Sequence, residues 1–334
     1  MTMVTLSVGL DYHPGSVQVC VMDPQGKVLA NGTRANCAEE LNRVARTFGD
    51  RIRAAVEVSP GAAHLAHELV TQFGWSVEMA HPGYVARIKQ SPDKTDFGDA
   101  KLLADLTRVG YLPKVWLAPP EIQDLRTLTR HRAELTAQKR ATKLRVRALL
   151  RNYRLVGPAN AWTKAWLAWL RDEAPLPEHA RWVMERHLGE IERLTSEIKL
   201  VERRMADVTK DDPFVQFLMS QDGIGLVTAV TLRAELGRVD RFRNAKQMSR
   251  FCGVSPRNAS SGARQADAGL IKASNPELRR VLIEAAQRLI RFDEHWVDFY
   301  KRMRERGKPY CVIVAAVANR WLRKMYHELK TLAA

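Results

Sequence analysis

The chain has 334 residues, long enough for about two domains, and 46% of them are hydrophobic, which excludes a disordered or low-complexity protein. Lysine and arginine outnumber aspartate and glutamate by 53 to 37, a net charge of +16, and so basic a chain points to a polyanionic partner, nucleic acid first among them. Cys20, Cys37, Cys252 and Cys311 lie far apart with no C-x-x-C pair, which excludes a zinc knuckle or a disulfide framework and predicts a reducing, cytoplasmic setting. There is no apolar run long enough to span a bilayer and no signal-peptide pattern, so no membrane partner is expected.

From the N-terminus, Val4 to Leu10 reads as a buried strand ending at Asp11. Ser16 to Met22 alternates, Asp23-Pro24-Gln25-Gly26 is a turn, and Lys27 to Asn31 returns as a third strand. Ala38 to Phe48 is helical in pattern, and Ile52 to Val58 is a strand carrying Glu57 near its end. Ala62 to Phe73 predicts a helix, Trp75 to Ala80 a fifth strand, and Pro82 to Lys89 a short helix. His64 and His67 form an H-x-x-H on the second of these helices, but its ordinary amphipathic pattern makes them surface or packing residues. The order β-β-β-α-β-α-β-α suits a ribonuclease-H-like (RuvC-like) α/β domain, a meander of three strands followed by strands joined through crossover helices. That layout places the first and fourth strands side by side, with Asp11 and Glu57 both at strand ends, where α/β sheets present their ligands.

The stretch Lys94-Thr95-Asp96-Phe97-Gly98-Asp99-Ala100-Lys101 comes next, ahead of Leu102, Leu103, Leu106 and Val109 at helical spacing. Asp96 and Asp99 therefore share a face on or just before the first turn of a helix. Helix capping alone accounts for acids in that position. The other reading is that the helix carries them to the sheet edge beside Asp11 and Glu57. Four carboxylates so gathered would repel one another, and divalent cations would relieve the repulsion. Such a set binds two Mg²⁺ ions, with Mn²⁺ as a substitute, and supports phosphodiester chemistry.

From Pro120 to about Arg154 the pattern is helical, and between Leu135 and Leu155 the charge is entirely positive. Arg140, Lys143, Arg147, Arg151 and Arg154 step by three or four and predict one basic stripe. A stripe without acids fits phosphate contact better than a solvated mixed-charge face does. Gly157-Pro158-Ala159-Asn160 breaks the helix, and Trp162, Trp166 and Trp169 follow at helical spacing as packing residues. His179 to Val208 is a second long helix, so the two predict an antiparallel hairpin, an arm suited to dimerisation. These features divide the chain into an α/β domain over 1–118, a coiled-coil arm over 119–210 and a mostly helical C-terminal domain over 211–334.

In that last part, Asp222-Gly223-Ile224-Gly225 between two short apolar helices is similar to a helix-hairpin-helix element, whose glycines let backbone N–H groups approach a phosphate. The loop Gly253 to Gly262 carries Ser260-Ser261-Gly262, by itself an ordinary flexible turn. Around it Arg257, Arg264, Lys272, Arg279 and Arg280 make a cationic setting for a phosphate. Pro276 starts a helix holding Leu278, Val281, Leu282, Ala285 and Leu289, and Tyr310 to Leu329 is a last helix, basic on one side.

Taken together, the ordered set resembles the insertion-sequence family 110 transposases, which are RNA-guided (bridge RNA) serine recombinases. The resemblance rests on Val8-Gly9-Leu10-Asp11, on Val56-Glu57-Val58-Ser59-Pro60-Gly61 and on Lys94-Thr95-Asp96-Phe97-Gly98-Asp99-Ala100. It continues through Gly223-Ile224-Gly225, Arg241-Phe242, Gly253-Val254-Ser255-Pro256, Ser261-Gly262, Lys272-Ala273-Ser274-Asn275 and Leu278-Arg279-Arg280, and so covers nearly the whole chain. Two departures stand out. Tyr12-His13-Pro14-Gly15 replaces a pattern that usually holds a lysine shortly after the first acid, and Ile271 and Ser274 alter the later loop, Ser274 standing where glycine is usual.

The resemblance implies a D-E-D-D metal set of Asp11, Glu57, Asp96 and Asp99, with Ser261 as a nucleophile forming a phosphoserine link to DNA. It also implies double-stranded donor and target DNA, a structured guide RNA, and a homo-oligomer, dimer or tetramer, whose site is composite between protomers. Two other readings are a RuvC-type junction nuclease in which water attacks, and a nucleic-acid-binding protein in which the acids are incidental.

Overall fold

The computed structural model describes residues 5–89, 95–258, 267–272 and 274–332. They form two compact units, Met1–Ala118 and Pro119–Ala334.

The first unit is built on a six-stranded sheet in the order β3-β2-β1-β4-β5-β6. Strands β1 (Thr5–Tyr12), β2 (Ser16–Met22) and β3 (Val28–Ala35) form the antiparallel meander; β4 (Arg51–Glu57) and β5 (Ser76–Ala80) add in parallel. A two-residue β6 (Lys114–Val115) closes the edge antiparallel to β5. As the strand–helix order predicts, β1 and β4 are neighbours, with Leu10 opposite Val56.

Both sheet faces are covered, which is why the central strands read as nearly continuous apolar runs. Leu6, Val8, Leu10, Ile52, Ala54 and Val56 pack against α1 (Ala38–Arg46) and α2 (Ala62–Phe73). Helices α3 (Pro82–Ile88) and α4 (Asp96–Arg108) follow in the chain. On the other face, Cys20 and Met22 meet Ala100 and Ala104 of α4, while Ala55 and Ala80 meet Leu103 and Leu106 of α4 and Val85 of α3. Helix α4 sits so close that a Cβ on Gly9 would run into the Ala100 carbonyl and lie 2.6 Å from the Ala104 amide nitrogen. Glycine at position 9 is thus required by helix-to-sheet distance rather than by backbone torsion.

In the second unit, α5 (Pro120–Asn152) and α7 (Glu178–Thr209) pair along their length. Near the hairpin's open end Leu125 and Leu135 share a core with Leu194, Val201 and Met205; near the far end Val146 and Leu150 meet Met184, Leu188 and Ile191. The rising numbers on α5 match falling numbers on α7, so the pair is antiparallel. Between them lie α6 (Lys164–Ala168) and a π turn over Trp169–Glu173. The tryptophans pack here, Trp166 with its ring centroid 4.8 Å from Trp162 and 6.2 Å from Trp169. They do not share a helix as their spacing suggests, because Asn160 and Trp162 take positive φ (65° and 74°) and set Trp162 in the preceding turn.

The C-terminal elements are α8 (Pro213–Met219), α9 (Leu226–Leu236), α10 (Ala245–Phe251), the small hairpin β7 (Pro256–Asn258) with β8 (Asp267–Leu270), α11 (Pro276–Phe292), α12 (Glu294–Glu305) and α13 (Tyr310–Leu332). Helix α9 runs through the middle of this unit, with Ala229, Val230, Leu232, Ala234 and Leu236 all buried. Its core includes Leu278, Leu282 and Leu289 of α11, Ile313, Val317 and Trp321 of α13, and the α5 and α7 leucines at the open end of the arm. Glu235 of α9, only 5% exposed, joins them electrostatically: its carboxylate pairs with Arg130 of α5 at 3.1 Å and accepts a 2.7 Å hydrogen bond from Asn275 Nδ2. No helix of the described residues is long and apolar enough to cross a membrane.

Candidate metal centre

Asp11 lies one residue beyond the Leu10–Val56 pair, so it stands at the end of β1 beside Glu57 at the end of β4. Strand alternation puts Asp11 on the face of Gly9 and Glu57 on the face of Ala55, the face that α4 covers. Thr95 caps α4, its hydroxyl accepting from the Gly98 amide at 3.2 Å, which places Asp96 and Asp99 in the first turn. Capping thus belongs to Thr95, and neither aspartate is needed as the cap.

The described residues bring three donors together here. His13 Nε2 is 3.5 Å from Asp11 Oδ2 and 3.3 Å from Asp96 Oδ2, and one ligand atom from each residue lies within 4.8 Å of the others. Asp99 is turned to the Lys89 ammonium, with which it forms an ion pair, though its charge is still felt at Asp11. Glu57 is half-buried on the adjacent strand end and stands outside the three-donor cluster. Burial holds the Asp11 carboxyl above its ordinary value; His13 opposes this, and Asp96 and Asp99 add to it. A cation placed between Asp11 and Asp96 would reverse that cost. Two carboxylate oxygens and an imidazole nitrogen are suitable donors for a divalent ion, so the residues fit one.

A polar ladder that the residue patterns did not reveal holds this arrangement. Thr33 Oγ1 donates to Gln18 Oε1 at 2.7 Å, and Gln18 Nε2 donates to Asn31 Oδ1 at 2.7 Å. Asn31 Nδ2 then donates to the Phe97 carbonyl at 3.1 Å, between the two aspartates of α4. Gln18 is opposite Asp11 across β1 and β2, so the ladder fastens the first turn of α4 beside the first acid. Gln18 and Asn31 stand thirteen positions apart, and only the strand register brings them together. His13 was visible only as a departure from a familiar pattern. His64 instead meets Glu68 at 3.4 Å, and His67 Nε2 lies 2.8 Å from the Ala118 carbonyl oxygen, as packing residues would.

The basic residues separate into classes. Arg140, Arg147 and Arg151 are exposed on α5, and no carboxylate pairs with them among the described residues. Lys143 is half-buried with its ammonium 4.7 Å from the Trp162 ring, and burial lowers its pKa. Arg154 lies past the end of α5 with φ 58°, so it leaves the stripe. Near the later loop, Arg257 and Lys272 are exposed, while Arg279 donates to Ser274 Oγ at 3.1 Å. Arg280 is held by Glu277 and by Glu284 at 2.8 Å, so two acids neutralise it. Ser261 and Arg264 lie outside the described residues.

Comparison with known proteins bears on both units. Residues 8–155 match the transposase family DEDD_Tnp_IS110, and residues 215–301 match the transposase IS116/IS110/IS902 family. A probable family 20 transposase of Pseudomonas aeruginosa is 26% identical over 330 residues, covering 96% of this chain and 95% of its own. The transposase for insertion sequence element IS1111A of Coxiella burnetii is 26% identical, covering 87% of this chain and 79% of its own. That for IS1328 of Yersinia enterocolitica is 25% identical, covering 86% and 84%.

Proposed function

Because this chain belongs to the IS110 family of transposases, enzymes that cut and rejoin DNA, we propose that it moves an insertion sequence through a covalent phosphoserine intermediate, with a RuvC-like first unit as its metal-binding half. The observation that carries this reading is the meeting of Asp11 and Asp96 at the sheet edge, with Glu57 on the neighbouring strand end and Asp99 one helical turn from Asp96. In it, Asp11, Glu57, Asp96 and Asp99 hold divalent cations, Mg²⁺ or Mn²⁺. Such ions, when bound, make a hydroxyl more acidic and spread the charge that builds on a phosphate under attack.

The chain's own groups do the rest. The Ser261 hydroxyl attacks a DNA phosphodiester, a deoxyribose hydroxyl leaves, and the DNA stays joined to the serine until another strand's hydroxyl displaces it. Arg257, Lys272 and Arg279 bind phosphates around that serine, and the exposed arginines of α5 bind phosphates of RNA or DNA. Sequence choice is delegated to base pairing with a structured guide RNA, and the protein reads backbone and shape. Acids and serine come from different protomers of a homo-oligomer, so an isolated protomer is inactive.

The test is strand transfer with element-end DNA, target DNA and the RNA transcribed beside the gene, in Mg²⁺ or Mn²⁺. Wild type is expected to form a protein–DNA adduct that survives denaturation, and both Ser261→Ala and Asp11→Ala to lose it. Cleavage by Ser261→Ala, with none by Asp11→Ala, would make water the nucleophile. Binding without cutting by the wild type under every condition would make the acids incidental.

A further inference from the structure

We propose that His13 is a ligand of the divalent cation held by Asp11 and Asp96, and that its nitrogen makes the site prefer Mn²⁺ to Mg²⁺; this rests on the metal-dependent reading above. The distances motivate it. Donors that share an ion at about 2.1 Å lie roughly 3.0–3.5 Å apart at octahedral or tetrahedral angles. His13 Nε2 stands 3.5 Å from Asp11 Oδ2 and 3.3 Å from Asp96 Oδ2, close to that spacing.

The imidazole is also presented by a fixed backbone. The His13 amide donates to the Ser16 carbonyl at 2.9 Å, and the Ser16 amide returns to the His13 carbonyl at 3.3 Å. Asn36 Nδ2 reaches both the His13 carbonyl at 3.1 Å and the Pro14 carbonyl at 3.2 Å. The turn between β1 and β2 is therefore tied to the chain just beyond β3, and His13 stands at the sheet edge without needing a new backbone conformation.

The donor set then decides the metal. Mg²⁺ is a hard ion that strongly favours oxygen, whereas a first-row transition ion accepts imidazole readily. Mn²⁺ combines that tolerance with the carboxylate- and water-rich octahedral shell Mg²⁺ would have. Lys89, paired with Asp99, places an ammonium beside the carboxylate that a second cation would use. An ion at Asp11 and Asp96 is therefore expected to bind more tightly than a second one at Asp99, which must displace Lys89.

The experiment is Mn²⁺ titration of the full chain, without nucleic acid, followed by electron paramagnetic resonance with Mg²⁺ as competitor. Pulsed measurement of the bound ion reads nitrogen coupling directly. Wild type is expected to hold one Mn²⁺ at least about tenfold more tightly than Mg²⁺ and to show ¹⁴N coupling. His13→Ala should lose the coupling and about tenfold in Mn²⁺ affinity, with Mg²⁺ affinity nearly unchanged. His13→Asp should give an all-oxygen site with the preference for Mn²⁺ reduced. The chain has nine histidines, so the difference between wild type and His13→Ala is the quantity that counts. If His13→Ala keeps both the coupling and the affinity while Asp11→Asn abolishes binding, His13 is an ion-pair partner only and the acidic site survives. If Asp11→Asn leaves Mn²⁺ binding intact, the acidic site and this proposal fall together.

Discussion

Asp11 shows what a single side chain contributes to a site of this kind. Its carboxyl is held above its ordinary value of 3.8 by burial first, with Asp96 and Asp99 adding and His13 opposing. A pKa raised in the folded state means that this group's contribution to stability is complete below the unfolded value and is lost as pH rises through the folded one. Without metal at neutral pH, ionised Asp11 therefore weighs against folding. Asp11→Asn should melt at a higher temperature than wild type at pH 7 in chelator, and the difference should vanish below about pH 4, where both chains are neutral at this position. Divalent metal should raise the melting temperature of wild type and leave the variant little changed. A variant that melts lower than wild type in chelator would mean that Asp11 is a structural hydrogen-bond acceptor instead. None of this is visible in the residue pattern, because strand-end aspartates look alike until burial and neighbours are known.

At the scale of elements, the seating of α4 decides whether the acids meet. Gly9→Ala would push a methyl group into the Ala100 carbonyl, so α4 must lift or β1 must bend. Overpacking of this sort costs about 1–3 kcal/mol, and denaturant melts of the variant should show that loss together with weaker metal binding. Gly9→Ala with wild-type stability would show that α4 can shift without cost. Much at this scale was legible. Ser16–Met22 and Ala62–Phe73 follow directly from alternation and helical spacing, and the crossover through α1 makes β1 and β4 neighbours. The short β6 was not legible, since two residues carry no period. The third strand runs on to Ala35 rather than stopping at Asn31, because polar Thr33 and Asn31 are satisfied by Gln18 across the sheet. Lys143 differs from the exposed arginines in a way that spacing along α5 cannot show, because Trp162 folds back beneath its ammonium.

For the molecule as a whole, charge and connectivity matter most. Phosphate binding by exposed arginines releases counterions, so replacing Arg140, Arg147 and Arg151 together by Gln should reduce the salt slope of nucleic-acid binding by about 2–3. Lys143→Gln should change it much less, since that ammonium is engaged with Trp162. Equal slopes for wild type and the triple variant would remove α5 from the nucleic-acid surface. Glu235 ties α5, α9 and the start of α11 into one body. Its loss in Glu235→Ala should cost about 3 kcal/mol, read in denaturant unfolding, because arginines and Asn275 lose a buried partner; Glu235→Gln should cost less. The joined core also dictates an order of events during synthesis. The first 118 residues hold a complete sheet with both faces covered, so they can collapse as soon as they leave the ribosome. Leu125, Leu135, Leu194 and Met205 cover one another only in part as α5 pairs with α7, and α9 arrives later to complete their core. Until α9 emerges, the nascent arm exposes an apolar seam, and the arrival of that helix decides when the seam is sealed.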